Sequence, residues 1–487
     1  MTLDAGDIRN QYRSGKFINL DIVGGNKFGR FKKISPAETY NFIISDGALV
    51  NSFGFNIVQN IEGKKSRGIY ASSKINRLFL VKDNDVLMFT NENSFQVIGS
   101  IDTYAGSVYI TENNNNQIAF CDGKDIWVFY FLDNIFKKSD INFSPKYLTF
   151  QDTYVITCAN NTNQFILSEG FNDASKFDKT DESRVGSIQT DATEIVATER
   201  FKNQLYVFGK VITEVWVDTG ADLFPYQKIK NNTIEYGCVS ADTIGTISDL
   251  IVWLGGSSTS KICIIASIGG KAEIISDQNE GIAYFLNDVE NPEKSFAFLI
   301  EEAGHIYYVL TFIDENKTIT FDFKTKEFFT FTDHKLDFFP IKKVVLFNNK
   351  YYCISYHDSN LYELSSKYTT QNGKTVPRIR IISTLRERML DQVMVNNIYI
   401  AMSAGLVSDS VTNETLLKTL PQINLSMSLD GGESYGNVNQ TAIYNYGDRQ
   451  RYVNFYNLGG GYEVTFKFQF YGNAQFCILG AVANIGN

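Results

Sequence analysis

The chain has 487 residues and a net charge of −9, with 20% of its residues charged. That length accommodates two or three domains, or one large ring with appendages, and an acidic balance without a basic stripe speaks against a free-standing nucleic-acid binder. Aromatic residues make up 14% of the chain, with 38 Phe and 27 Tyr against only 7 Pro. This composition describes a folded all-β protein whose turns are made by Gly, Asn and Asp.

The first residues, with Asp4 and Asp7, are acidic where a signal peptide needs a basic region. No apolar run approaches the roughly 18 residues of a membrane helix. The chain is therefore expected neither to span a membrane nor to leave the cell by the standard export route. Residues 1–65 read as an irregular N-terminal β segment. From 66 onward short apolar runs recur, among them 77–81, 85–89, 117–120, 126–130, 204–208, 319–323 and 351–355. Tight turns such as Asp122-Gly123 and Asn348-Asn349 join them. One plan repeats: a polar turn, an apolar strand, a short hairpin turn, then a second aromatic strand. Roughly six such units fall between 66 and 370, which predicts a β-propeller of about six blades.

After 370 the strands lengthen. Residues 462–470 alternate cleanly, with Tyr462, Val464, Phe466, Phe468 and Phe470 on one face, as in a half-buried antiparallel strand. Residues 371–487 are expected to form an additional C-terminal antiparallel β-sandwich-like domain, or closing strands of the ring. The one helix candidate, 384–394, reads equally well as a junction.

Candidate chemistry is sparse. The six cysteines are widely spaced and fit buried free thiols, in keeping with assembly in a reducing cytoplasm. His305, His334 and His357 show no ligand spacing. The Gly-rich stretch 255–261 lacks the phosphate-loop pattern, and Ile319 stands where a calcium loop needs Gly. Catalytic, cofactor and metal residues are accordingly expected to be none. The strongest motif is Ser428-Leu429-Asp430-Gly431-Gly432-Glu433-Ser434-Tyr435, an Asp-box pattern. In it Ser428, Asp430, Gly432, Ser434 and Tyr435 serve a tight hairpin and not chemistry. Sialidases carry such boxes too, but in several copies, beside an arginine cluster and a Tyr–Glu pair. Arg200, Arg378 and Arg380 have no such context.

Several segments carry a family likeness. The first is Ser66-Arg67-Gly68-Ile69-Tyr70 with the strands at 77–81 and 85–89. The second is the hairpin from Gly106 to Gly123. The third, the longest, covers 168–173 and 198–209 and continues through Glu214, Trp216, Gly220 and Phe224-Pro225-Tyr226 to 234–237 and Trp253-Leu254-Gly255, with Phe208-Gly209 to Phe224-Pro225 its most specific string. The fourth is the order Asp430-Gly431-Gly432, Gly447-Asp448-Arg449, Asn457-Leu458-Gly459. Together, over about residues 66–480, they resemble the packaged-DNA stabilisation proteins of short-tailed bacteriophages, the tail nozzle or hub family. The chain departs from that pattern at Tyr435, where Trp is frequent, and at Asn454-Phe455-Tyr456, where an Arg-rich strand is common.

The resemblance implies a structural virion protein and no enzyme, located in the virion tail. Several copies, expected to be six, would form a ring beneath the portal and its adaptor. The ring would continue the DNA channel, be closed by a needle or plug, and meet fibre or spike proteins. Double-stranded DNA would pass without sequence-specific binding, and six copies at −9 each would line its path with acidic protein. The Phe224-Pro225-Tyr226 loop is a candidate inter-subunit contact, with a packed turn as the alternative. A receptor- or glycan-binding propeller adhesin is the alternative function, and a propeller glycosidase a more distant one.

Overall fold

The computed structural model describes residues 16–486 apart from 28, 30–35, 92–93, 222, 260, 269–270, 387–390, 408–420 and 444–451. Seven four-stranded antiparallel units follow one another. Blades 1 to 5 span 66–100, 109–138, 145–187, 195–234 and 245–274. Blade 6 spans 296–331, and blade 7 combines 341–365 with the strand Gly54–Gln59. The chain thus has one blade more than the roughly six units legible between 66 and 370. Blade 5 hides its hairpin behind a seven-residue polar connection, 256–262, between Leu250–Gly255 and Cys263–Ile268.

The turns explain the asparagine-rich composition. Asn76, Asp83, Asn116, Asp152, Asn316 and Asn348 all hold positive φ at hairpin ends. Asn and Asp tolerate this left-handed conformation better than other side-chain-bearing residues. The short strands between these turns bury both faces, because each blade is covered by its neighbours. Apolar clusters fill the seams: Phe79, Phe120 and Phe129 between blades 1 and 2, and Phe208 edge-on to Trp253 at 5.2 Å between blades 4 and 5. Each fully buried ring of this kind contributes roughly 2–3 kcal/mol.

Ring closure is made by sequence-distant residues. The innermost strand of blade 7, Ile341–Phe347, lies against that of blade 1, Ser66–Ser72. Tyr352, Ile354 and Leu361 share a core with Ile69, Leu80 and Phe89. Gly54–Gln59 supplies the outermost strand of blade 7, with Phe55 opposite Leu364 and Ile57 opposite Tyr362. The N-terminal segment is therefore not an irregular appendage, and a boundary at 65 cuts across a blade.

The same segment also builds the second unit. One sheet contains Lys16–Leu20, Phe42–Ser45, Ala48–Asn51, Val393–Val407, Tyr452–Gly461 and Ala474–Gly486. Facing it are Glu38–Tyr40, Arg378–Ile381, Gln422–Ser428, Val438–Ala442 and Thr465–Tyr471. Their inner faces meet in a core of Phe42, Ile398, Ile400, Phe466, Phe468 and Phe470. Of the alternation read at 462–470, Val464, Phe466, Phe468 and Phe470 form this buried face, whereas Tyr462, ahead of the strand, is exposed. The sandwich is thus discontinuous in sequence, drawing on both ends of the chain. Its second sheet joins blade 6 through the parallel pairing of Tyr40 with Thr330.

Arg380 locks that junction. Its guanidinium is fully buried and donates to the Gly25 carbonyl at 2.9 Å, Thr39 Oγ1 at 2.8 Å and the Asp21 carbonyl at 2.6 Å. Burial lowers its pKa to about 10, against the opposing pull of Asp21 and Glu327. Arg378, also buried, donates to the Thr369 carbonyl at 2.8 Å. Both arginines have structural surroundings, as their sequence context indicated.

The helix candidate at 384–394 is not a helix where it is described: Leu385 bridges Val464, Val393 opens a strand, and 387–390 lie outside the described residues. The α-helix among the described residues is Glu280–Asn287, before blade 6. The Asn279 side chain caps it, accepting from the amides of Gly281 and Ile282 at 3.1 and 3.2 Å. Ile282 and Leu286 bury its inner face between blades 5 and 6. An Asn followed by Glu at a helix start was the available sequence signal.

Candidate functional site

The Asp-box lies in the sandwich, on the connection between Gln422–Ser428 and Val438–Ala442. Asp430 accepts from the Ser428 hydroxyl at 2.6 Å, from the Ser434 amide at 2.9 Å, and from the Ser434 hydroxyl. Ser428 Oγ in turn accepts from the Gly432 amide at 2.8 Å. Hydrogen bonds from Ser428 first, then Ser434, hold the Asp430 carboxyl below the usual carboxylate range. Gly432 has φ +97°, and a Cβ there would also press on Pro36. Tyr435 is half-buried under Lys467, whose Nζ lies 5.5 Å from the ring centroid. The side chains of Ser428, Asp430 and Ser434 are spent on their own turn.

The string from Phe208 to Pro225 builds a cleft between blades 3 and 4. Glu214 is its hub. The carboxylate is wholly buried and accepts from the amides of Gln189 at 3.0 Å and Thr190 at 2.8 Å, and from Thr190 Oγ1, Trp216 Nε1 and Lys228 Nζ. Burial pushes its pKa up, but the bonds from Thr190 and Lys228 outweigh this and leave it below the ordinary value. The outermost strand of blade 4, Tyr226–Ile234, carries a bulge between Lys228 and Thr233. The bulge opens a cleft of about 880 Å³ toward the outermost strand of blade 3, Val185–Ser187. The cleft is lined by Trp216, Phe224, Lys228 and Lys230 among others, with no carboxylate in its lining.

Within this region the 224–226 loop is a packed turn. Pro225 and Tyr226 are buried, and the Tyr226 hydroxyl donates to the Gln151 carbonyl at 3.3 Å. Phe224 is half-buried, 5.9 Å from Phe165 and 6.4 Å from Trp216 by ring centroids. Of the candidate contact, Pro225 and Tyr226 are thus committed to the interior. The apolar side chain this turn offers outward is Leu223, 81% exposed.

The propeller axis carries a charged cluster that no local motif marked. The Tyr109 and Tyr147 ring centroids lie 4.3 Å apart with the planes tilted by 43°, and the Tyr147 hydroxyl donates to Glu199 at 2.7 Å. Lys342 Nζ donates to Ser107 Oγ at 2.8 Å, and Ser107 donates to Asp242. Glu199 is half-buried, and burial, outweighing the bond from Tyr147, raises its pKa to about 7. Burial likewise lowers that of Lys343. The pocket lined by Ser107, Tyr109, Tyr147, Asp242, Lys342 and Lys343 holds about 40 Å³, room for no more than a few waters. The residues come from different blades, and only ring closure brings them together.

Among the described residues no group of three or more His, Cys, Asp or Glu side chains is placed to hold a metal ion. The six cysteines are unbridged, five of them buried. No described helix is long and apolar enough to cross a membrane.

A family model described as bacteriophage P22 Gp10, beta-propeller, a family of phage stabilisation proteins, matches residues 36–369. The chain belongs to that family. It is a bacteriophage structural protein, a virion component built on a β-propeller. The match covers all seven blades of the phage protein, including Gly54–Gln59. We found no match among curated proteins. Solved structures of similar shape include a virginiamycin B lyase from Staphylococcus aureus, at 11% identity and TM-score 0.42 over 64% of this chain and 99% of that one. The N-terminal domain of Nup159 is 10% identical with TM-score 0.40, over 68% of this chain and 99% of that one. The WD40 β-propeller domain of Doa1 is 11% identical with TM-score 0.40, over 64% of this chain and 97% of that one. At these TM-scores the likenesses carry no argument about what the phage protein does.

Proposed function

We propose that the chain is a tail nozzle or hub subunit. Several copies, six by the family resemblance, assemble as a ring below the portal and adaptor and continue the DNA channel. The ring helps retain the packaged genome, meets needle, fibre or spike proteins, and conducts DNA at ejection. The observation that carries this reading is the family match over 36–369. The axial void of about 40 Å³ supports one further specification. A duplex whose major groove alone is about 12 Å wide cannot thread one propeller, so the DNA path has to be enclosed between copies.

Loss of the gene tests the role. Heads should fill and then leak DNA, measured as nuclease-sensitive genome in purified particles. Heads that stay sealed without the protein would sink the proposal. An adhesin would instead use the cleft between blades 3 and 4, and glycan-array binding that disappears in Lys230→Glu would favour that reading.

A further inference from the structure

We infer that the outer face of the sandwich, uncovered among the described residues, is a contact surface for a second copy of this chain; the inference rests on the ring proposed above. Four strands expose this face: Lys16–Leu20, Ala474–Gly486, Val393–Val407 and Tyr452–Gly461, paired in that order. Register fixes which side chains point outward. Ile398, Ile400, Val453 and Phe455 enter the sandwich core. Their alternates Tyr399, Ala401, Tyr452 and Tyr456 therefore point away from it, as does Phe17 across from Asn484. Phe17, Tyr452 and Tyr456 are 57%, 57% and 56% exposed. Between them on the same face lie Asn19, Asn397, Asn454 and Asn484, and the Phe17 ring reaches Tyr399 at 6.3 Å.

No outward position of these paired segments is Asp, Glu, Lys or Arg, in a chain with 20% charged residues. An exposed sheet face rich in tyrosine and depleted of charge has the composition of an interface core. Charge also selects the occupant. Copies of one chain at −9 repel each other, and like charges placed across a contact are costly. Identical subunits can approach most easily through a surface that carries no charge. A partner of opposite sign would call for a charged face instead. The same side of the sheet is already used as an internal contact further along, where Ile43 and Val50 pack into the core shared with blades 6 and 7.

The test is photo-cross-linking in assembled virions, with p-benzoylphenylalanine replacing Tyr452 in one variant and Tyr399 in another. A product at twice the 55.0 kDa of the chain, with both peptides from this protein, is the expected result. Cross-links only to a different virion protein, or none while the same amino acid placed at the exposed Leu223 reacts, overturn the inference. A second variant, Tyr399→Glu with Tyr452→Glu, should leave the circular dichroism and melting of the purified chain unchanged. Its incorporation into particles should drop about tenfold or more, and incorporation at the unmodified level also overturns the inference. Counting copies per particle by cryo-EM separates the two levels: a ring whose subunits meet elsewhere removes this face but keeps the proposed function. A single copy per particle removes both.

Discussion

Glu199 illustrates how one residue acquires its property from the whole ring. Its carboxyl takes a hydrogen bond from Tyr147, and burial raises its pKa to about 7. The unfolded chain holds the same proton with a pKa of about 4.3. The folded state therefore binds the proton more tightly. The resulting stabilisation is full below about pH 4.3 and is lost as pH rises through about 7. Glu199→Gln keeps an acceptor for Tyr147 and removes the titration. Its stability relative to the native chain should grow between about pH 5 and 8, reaching about 2 kcal/mol, as read from urea denaturation at each pH. A constant difference across that range would count against the assignment. Glu214 is the opposite case: its side chain is wholly buried, but hydrogen-bonded from several sides and held ionised. Burial alone does not decide a carboxyl's state; the donors it meets do.

At the scale of elements, the fold depends on strands far apart in sequence. Gly54–Gln59 pairs with Leu361–Ser365 and completes blade 7. Without it the outer edge of that blade is bare, and the core shared by Phe55, Tyr362 and Leu364 is opened. A fragment of residues 52–370 should therefore keep a closed ring, whereas 66–370 should bind a hydrophobic dye and melt about 10 °C lower or more, as expected for the loss of several kcal/mol. Equal melting temperatures would mean that the ring does not need this strand. The Asp-box shows the converse. Its hairpin is stabilised almost wholly by its own Ser428, Asp430, Gly432 and Ser434, so the motif was legible from eight consecutive residues.

For the molecule as a whole, net charge and a closed axis point the same way. The chain is acidic, and among the described residues side chains from different blades meet at the propeller axis around a pocket of about 40 Å³. The purified protein should leave double-stranded DNA unshifted in gel electrophoresis at about 0.15 M salt, because nothing offsets phosphate repulsion at that ionic strength. Retarded DNA under those conditions would contradict a channel wall that the genome passes without binding.

The sequence by itself determined the all-β class, the recurring hairpin plan, the self-contained Asp-box and the family. These features rest on local pattern: strand alternation, turn residues and motif spacing within tens of residues. Only the tertiary structure decided that there are seven blades, that residues 16–59 belong to both units, and that Pro225 and Tyr226 face inward. It alone assembled the axial cluster of Tyr147, Glu199, Asp242 and Lys342, and joined four strands from both chain ends into one uncharged face. The physical reason is distance along the chain. Ring closure, the discontinuous sandwich and the burial of charges all depend on pairings between residues hundreds of positions apart, such as Phe55 with Leu364 and Lys16 with Ile485. No local pattern encodes such partners, because each strand's own sequence specifies only that it will have a neighbour.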